Sequence, residues 1–384
     1  MGKYIHYCWF SEKTLSKQAK KSLQTIATAV ATPAKKIKRI INKKELINDE
    51  YFQKIDKTIN DISNYKDSDY IVLCHDLCIG IIDVTKELFD NVINCQELYR
   101  KKDVEKVGRA ILDNNIKQVI FSGFGIGNKD LAIYLKKNNK NIKIKVVWNG
   151  KQSQILSSYN WKRSTEVIKL LKKGIIDVFA TNKKSLVDFY NNEGYKSCFI
   201  SNIFSVDIKK EKKKKRKKEI RIGLYSTASD SWEENIYTQI AAASLIKDSV
   251  IDIVPLNEEI DKFAKTIGAK VVGSKEPLPT KDLLVRMSNN DINLHVTYSE
   301  CSPIIPLESF EMHVPCILGN NNHYFDNSKL SDYIVVNNET NPIEIKEKIE
   351  KTLQNNDKVL KLYDNLKKEN TKKAKKLVEK LLKM

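Results

Sequence analysis

The sequence lacks the segments that direct a chain into or across a membrane. It has no apolar run of the roughly 18 residues that a membrane-spanning helix needs. Its first stretch, MGKYIHYCWFSEKTL, is too short and too polar to be a signal peptide. We therefore expect a cytoplasmic protein.

Cysteine is scarce and unpaired in the sequence. The seven cysteines are an odd number, and only Cys74 and Cys78 lie close together. A single such pair, without a second pair elsewhere, is a poor signature for zinc or for a redox site. We expect buried, reduced thiols, no bound metal and no cofactor.

Aromatic residues are missing from the most basic segment, although the formal charge is +19. Residues 209–219, KKEKKKKRKKE, carry nine basic and two acidic residues, and residues 361–384 carry nine lysines and three acids. A lysine run without aromatic residues lacks the stacking groups that bind single-stranded nucleic acid, so no nucleic-acid partner is expected. Two interpretations stay open: solvated surfaces, or attraction to anionic lipid headgroups at the inner face of the cell membrane.

The apolar fraction of 41% is enough for packed cores, and 384 residues suggest two domains. We expect domains at 1–208 and 220–341, with 209–219 as a linker because its like charges repel and extend it. Both halves alternate strand-like and helix-like segments, which indicates an α/β fold with doubly wound parallel sheets. In the second half the strand-like segments are IRIGLYST, VIDIVPL, AKVVGS, DINLHVTYS, VPCILG and DYIVVNN.

Residues 342–384 read as C-terminal helices. Ile345, Ile349 and Leu353 recur every fourth residue, and an apolar stripe continues to Leu381. The stripe either packs on its own chain or lies in a membrane interface. We favour packing on the protein, because the stripe lacks Trp and Phe.

The segment ECSPIIPLE, from Glu300 to Glu308, carries the clearest functional pattern. It follows the strand-like INLHVTYS, and its two prolines favour the start of a helix. Ligands of open α/β sheets bind outside the carboxyl ends of the strands, and a helix N-terminus there attracts hydroxyl oxygens or an anion. Two carboxylates in this position can accept charge-assisted hydrogen bonds from sugar or ribose hydroxyls.

This segment resembles the C-terminal domain of family-four retaining glycosyltransferases, which have the GT-B fold of two Rossmann-like domains facing a cleft. In that family a strand leads to a Glu, seven residues, a second Glu, and then Gly-x-Pro with another strand. Here the frame reads Glu300, CSPIIPL, Glu308, SFEMH and VPCILG, with His313 in the place of the glycine. The resemblance is clear over about 220–338.

The resemblance implies roles for individual residues. Glu300 would lie near the donor sugar as a catalytic residue, and Glu308 would bind the ribose of the nucleotide. The backbone around Cys301, Ser302 and Pro303 would contact sugar hydroxyls, and the loop that begins at Gly273 would hold the base. The sequence departs from the family where an Arg and a Lys neutralise the donor diphosphate. Arg286, Arg221 or Lys275 could substitute for them, or else Ser226 and the helix start near Asn235 as neutral donors.

The first half offers weaker candidates for the acceptor side. His75 ends the strand-like YIVLCHD, where it either orients a sugar as a catalytic residue or makes a local contact. Gly125 and Gly127 belong to a turn, SGFGIGNKD, that either approaches a ligand or simply links a strand to a helix. Asn149 follows another strand and can meet acceptor hydroxyls.

We therefore expect a metal-independent, retaining hexosyltransferase with a UDP- or GDP-sugar as co-substrate. Its acceptor would be a glycan or a lipid-linked glycan, in cell-surface polysaccharide synthesis. The alternative is a non-catalytic GT-B protein that binds a glycan or an active glycosyltransferase, because the cations for the diphosphate are missing.

Overall fold

The computed structural model describes residues 46–75, 79–150, 158–205, 219–226, 232–300, 302 and 304–384. The chain divides into two compact units, residues 1–57 and 58–384. The described part of the first unit contains the start of helix α1, Asp49–Ser63. The first 45 residues of the chain and residues 209–218 of the expected linker lie outside the described residues.

The second unit contains two parallel sheets of six strands each. The first sheet has the order β2-β1-β3-β4-β5-β6. Its strands are β1 (Ile71–His75), β2 (Val92–Cys95), β3 (Gln118–Ser122), β4 (Lys143–Trp148), β5 (Val178–Thr181) and β6 (Ser197–Phe199). The helices between them are α2 (Ile79–Leu88), α3 (Lys101–Asp113), α4 (Ile126–Asn138), α5 (Ser158–Lys172) and α6 (Lys184–Asn192). We call these layers the first lobe.

The second sheet has the order β12-β11-β10-β7-β8-β9. Its strands are β7 (Ile220–Tyr225), β8 (Ser249–Val254), β9 (Val271–Gly273), β10 (Ile292–His295), β11 (Cys316–Gly319) and β12 (Val335–Val336). The helices are α7 (Ile236–Ser244), α8 (Glu258–Thr266), α9 (Thr280–Ser288), α10 (Ile304–Glu311) and α11 (Ser331–Ile334). These layers form the second lobe. The strand pairs are parallel throughout, so the expected α/β fold with doubly wound sheets is confirmed.

Local sequence explains where these elements begin and end. Asn257 caps α8 by accepting a hydrogen bond from the Ile260 N–H at 2.8 Å. Gly268 follows the end of α8 with a φ of 75°, a left-handed conformation that favours glycine. The central strands are buried on both faces, since helices cover both sides of a doubly wound sheet.

Two helices complete the chain, α12 (Pro342–Gln354) and α13 (Asn356–Lys383). The apolar stripe expected here packs on the protein. Ile345, Ile349 and Tyr363 join the core of the second lobe, whereas Val378 and Leu381 join the core of the first lobe. Helix α13 therefore connects the two lobes.

Lys145 anchors the end of α13. This β4 residue is 1% exposed, and its Nζ donates hydrogen bonds to the carbonyls of Leu381 at 2.6 Å and Leu382 at 2.9 Å. A cation at a helix C-terminus satisfies carbonyls that have no partner within the helix and complements the helix dipole. Burial nevertheless lowers the pKa of Lys145 to about 8. Within the described residues, no helix combines the length and the apolarity needed to cross a bilayer.

Candidate functional site

The candidate site lies where the strand order of the second sheet reverses. Strands β7 and β10 are neighbours, although β8 and β9 come between them in sequence. The loops that leave two such strands diverge to opposite faces of the sheet and open a crevice at its carboxyl edge. Ser226 follows β7 directly, and Glu300 follows β10 by five residues.

Glu300 is held in this crevice by two neighbours in sequence. Its Oε2 lies 2.9 Å from Nε2 of His295, the last residue of β10. Its Oε1 accepts a hydrogen bond from the Ser302 N–H at 3.3 Å. The Glu300 side chain is 13% exposed, and His295 is buried. The carboxylate is therefore oriented before any ligand arrives.

Glu308 lies in α10 and is 7% exposed. Its carboxylate accepts no hydrogen bond from any residue that the structure describes. Burial raises its pKa to about 7, the His295 ring opposes this rise, and the Asp83 carboxylate adds to it. A buried carboxylate without a donor is costly, and a ligand that supplies hydroxyl groups would remove that cost.

The first lobe closes the crevice opposite Ser302. Asn202 follows β6, and its Nδ2 donates a hydrogen bond to Ser302 Oγ. Asn182 in turn donates to Asn202 Oδ1 at 3.1 Å and to the Ile200 carbonyl at 2.9 Å. Helix α2 of the first lobe also reaches across, because Val84 joins the core of the second lobe. Glu300 and Glu308 are thus largely shielded from bulk solvent, and Glu300 lies two residues from the Ser302 contact between the lobes.

Two neutral side chains and two acidic ones lie near the place where the family resemblance puts the donor diphosphate. Ser226 Oγ is buried and has no hydrogen-bond partner among the described residues. Glu233 and Glu234, which stand near the expected lysine position, are buried. The Asn235 amide donates to the carbonyls of Val296 at 2.9 Å and Glu339 at 2.7 Å, so it ties three loops together.

Two of the three cations considered as substitutes share one buried carboxylate. Arg286 makes a bidentate contact with Asp252, which is fully buried on β8: its Nη2 lies 2.5 Å from Oδ1 and its Nε donates to Oδ2 at 2.9 Å. Arg221 lies 3.5 Å from the same carboxylate. Lys275, in the loop after β9, is exposed and in no ion pair within the described part of the chain. Arg286 and Arg221 are compensated here, which leaves Lys275 as the available cation of the three.

The remaining predicted donor residues have different positions. Gly273 ends the edge strand β9, and a Cβ there would collide with the Ile253 carbonyl of β8. Close strand pairing therefore requires glycine at this position. Ser302 has been placed above, whereas Cys301 and Pro303 lie outside the described residues.

The predicted residues of the first lobe meet at Glu97, where the first sheet also reverses its strand order. His75 ends β1, and its Nε2 lies 3.8 Å from Glu97 Oε2. Arg163 of α5 lies 3.8 Å from the same oxygen and donates to the Phe124 carbonyl at 2.8 Å. Glu97 is 7% exposed, so this carboxylate lies close to two cation-forming side chains inside the lobe.

The glycine-rich turn packs against the same carboxylate. The Gly127 N–H donates to Glu97 Oε1. A Cβ on Gly125 would lie 2.6 Å from Glu97 Oε2, and one on Gly127 would lie 2.6 Å from Leu98 Cβ. Both glycines are therefore needed for close packing within the lobe. Asn149 lies beside this turn, with its Nδ2 3.4 Å from Ser122 Oγ.

Sequence reasoning missed His295, Asn202 and Glu97. His295 could have been found, because a histidine at the end of a strand precedes Glu300 by five residues. Asn202 could not, because it meets Ser302 across 100 residues of sequence. Glu97 carries no local signal beyond its place after β2.

Comparison with known proteins places this architecture among glycosyltransferases of known structure. No protein-family model and no curated protein sequence matches the chain. A UDP-forming trehalose-phosphate synthase from Burkholderia xenovorans is 10% identical, with a TM-score of 0.56 over 82% of this chain and 99% of that one. Sucrose-phosphate synthase from Thermosynechococcus elongatus is 11% identical, with a TM-score of 0.54 over 81% and 97%. HepE from Anabaena in complex with UDP is 10% identical, with a TM-score of 0.58 over 82% and 99%.

These likenesses define the fold of the chain. Each extends over both lobes and over nearly the whole of the other chain. The two parallel sheets and the terminal helix correspond to the GT-B fold of retaining glycosyltransferases, so the fold expected from the sequence is confirmed.

Proposed function

We propose that the protein is a retaining glycosyltransferase that moves a sugar from a nucleotide-sugar donor to a glycan or lipid-linked glycan. One observation carries the proposal. Glu300 and Glu308, eight residues apart, are both largely buried at the carboxyl edge of the second sheet, beside the contact of Ser302 with Asn202 of the first lobe. Carboxylates at this edge of a sheet can accept charge-assisted hydrogen bonds from the hydroxyl groups of a nucleotide sugar.

Each carboxylate has its own role in the proposal. Glu308 accepts hydrogen bonds from the ribose hydroxyls, which compensate its burial. Glu300, oriented by His295, accepts a hydrogen bond from a hydroxyl of the donor sugar. Ser302 and Asn202 hold the two lobes together beside that sugar.

The reaction proceeds by displacement on the front face of the donor sugar. The bond between the anomeric carbon and the diphosphate breaks, and the leaving diphosphate oxygen takes the proton of the acceptor hydroxyl. The acceptor oxygen then bonds to the face that the leaving group has vacated, so the configuration is retained. The Glu300 carboxylate stabilises the positive charge of the oxocarbenium-like transition state. The dipole at the start of α10 stabilises the negative charge of the diphosphate.

The donor diphosphate is neutralised without a metal ion in this proposal. Ser226 Oγ, a buried hydroxyl without a partner in the described residues, is a neutral donor for a phosphate oxygen. Lys275 is the accessible cation at the same edge of the sheet. In the first lobe, Glu97 orients His75 toward the sugar.

The solved structures favour UDP as the nucleotide. The trehalose-phosphate synthase is described as UDP-forming, and the HepE structure contains UDP. We propose a UDP-hexose donor, with a GDP-sugar as the alternative. We further propose that the acceptor belongs to a cell-surface polysaccharide made on the cytoplasmic side of the membrane.

A second candidate is a GT-B protein that binds a glycan or an active glycosyltransferase without catalysis. The observation that favours it is the pairing of Arg286 and Arg221 with Asp252, together with the buried acids Glu233 and Glu234 near the diphosphate. Such a site would bind a diphosphate weakly.

A screen for released nucleotide separates the two candidates. Purified protein is incubated with UDP-, GDP- and ADP-sugars and a mixture of glycan acceptors, and free nucleotide diphosphate is measured. We expect release from one donor, its loss in Glu308→Ala, and normal release in Glu347→Ala, which truncates an exposed glutamate of α12. Release from no donor, together with no thermal stabilisation by any of them, would favour the non-catalytic candidate.

A further inference from the structure

A groove on the surface of the second unit is separate from the Glu300–Glu308 pair. It lies between α13, the loop 323–330 and the end of β6, and its volume is about 820 Å³. This volume is within the range of small-molecule sites in proteins. We call it the α13 groove.

The floor of the α13 groove is apolar. Leu330 and Leu366 are buried beneath it, and Leu362 is half-buried along its side. These side chains come from the second lobe and from the first half of α13. An apolar floor next to water favours a ligand with a hydrocarbon part.

The rim of the α13 groove is cationic. Lys373, Lys376 and Lys380 follow one another along the second half of α13 at helical spacing. Lys373 lies 3.9 Å from Glu369, whereas Lys376 and Lys380 are exposed and in no ion pair within the described residues. Across the groove, Lys184 contacts Asp326 at 2.9 Å.

The charges therefore do not balance within the groove. Five lysines line it, and its two carboxylates, Asp326 and Glu369, already have lysine partners. Lys329 adds a third lysine without an ion pair in the described part of the chain. Excess positive charge beside an apolar floor is complementary to a molecule with an anionic head and a hydrocarbon chain.

We propose that the α13 groove binds an acidic phospholipid. The lipid phosphate contacts Lys376 and Lys380, and an acyl chain lies along Leu362, Leu366 and Leu330. Helix α13 packs on both lobes. A membrane lipid held in the groove would therefore orient both lobes relative to the membrane surface. The proposal concerns lipid binding alone and does not depend on glycosyl transfer.

The ligand series separates the contributions of charge and chain. Dihexanoyl phosphatidylglycerol, used as a monomer below its critical micelle concentration, carries both features. Dihexanoyl phosphatidylcholine has the chains without net charge, and glycerol phosphate has the charge without chains. Binding of each to the full-length protein is measured by titration calorimetry. We expect phosphatidylglycerol to bind at least about tenfold more tightly than either of the others.

Two variants with the same change of charge test the position of the site. One variant combines Lys373→Gln, Lys376→Gln and Lys380→Gln. The control combines Lys361→Gln, Lys368→Gln and Lys375→Gln, three exposed lysines on another stripe of the same helix. We expect the groove variant to lose phosphatidylglycerol affinity at least about tenfold, and the control to lose less than about threefold.

Three results would overturn the proposal. Equal losses in both variants would mean that the helix attracts anions by its overall charge. Equal affinity for glycerol phosphate would identify a site for soluble phosphates and not for lipid. A wild-type protein that binds no phosphatidylglycerol would remove the site altogether.

Discussion

Glu308→Gln tests whether the buried carboxylate is kept for a ligand at the expense of stability. The pKa of Glu308 is raised from 4.5 to about 7, chiefly by burial. The folded protein therefore binds a proton more tightly than the unfolded chain does, and ionisation of Glu308 opposes folding. A rise from 4.5 to about 7 lowers the free energy of unfolding by about 3 kcal/mol at pH values above 7.

The pH dependence follows from the sign of this shift. Between about pH 4.5 and pH 7 the folded state holds more protons than the unfolded state, so rising pH lowers the stability of the wild-type protein. A glutamine has no such titration. We expect Glu308→Gln to be more stable than wild type by about 1–3 kcal/mol at pH 8, and the difference to shrink toward pH 5.5.

Urea denaturation at pH 5.5 and pH 8 measures this difference in the absence of donor. Glu347→Gln, at an exposed position of α12, should change neither the stability nor its pH dependence. The reasoning is refuted if Glu308→Gln is destabilised at both pH values, or if its difference from wild type does not depend on pH. In the presence of the donor, wild type should become more stable than Glu308→Gln, because only the carboxylate is expected to hold the ribose.

Three further substitutions test other parts of the structure. Lys145→Met removes the donor to the Leu381 and Leu382 carbonyls. It should lower the free energy of unfolding by about 2–4 kcal/mol and speed hydrogen exchange at the end of α13. Unchanged exchange would contradict this role of Lys145. Gly223→Ala places a Cβ against Asn293 and Asn290 in the core of the second lobe. It should reduce the free energy of unfolding by about 1–3 kcal/mol or more and lower the melting temperature by several degrees. A variant as stable as wild type would show that the core can rearrange. His295→Asn removes the imidazole that orients Glu300 and should lower kcat about tenfold or more with a smaller change in KM. An effect on KM alone would assign His295 to binding.

The segment around Glu300 was predictable because its signals are local. A strand, two prolines and a helix follow one another within about 20 residues, and each has a strong preference at its position. The alternation of strands and helices likewise predicted the second sheet. Such patterns depend on neighbours along the chain and therefore can be interpreted from the sequence.

The long-range partners were not predictable. Arg286 was a candidate for the diphosphate, and only the fold shows that Asp252 lies beside it. In the same way, Lys145 meets the end of α13 across 236 residues. Contacts of this kind depend on the order of strands in a sheet, which one sequence specifies only weakly.

The central claim is that Glu308 binds the ribose of a nucleotide sugar in the crevice between the lobes. A crystal structure with UDP tests it most directly, with the other nucleotides of the screen as alternatives if one of them proves to be the donor. We expect the ribose hydroxyls within hydrogen-bond distance of the Glu308 carboxylate and the diphosphate near Ser226. A nucleotide bound elsewhere, with the Glu308 carboxylate still lacking a donor, would contradict the account.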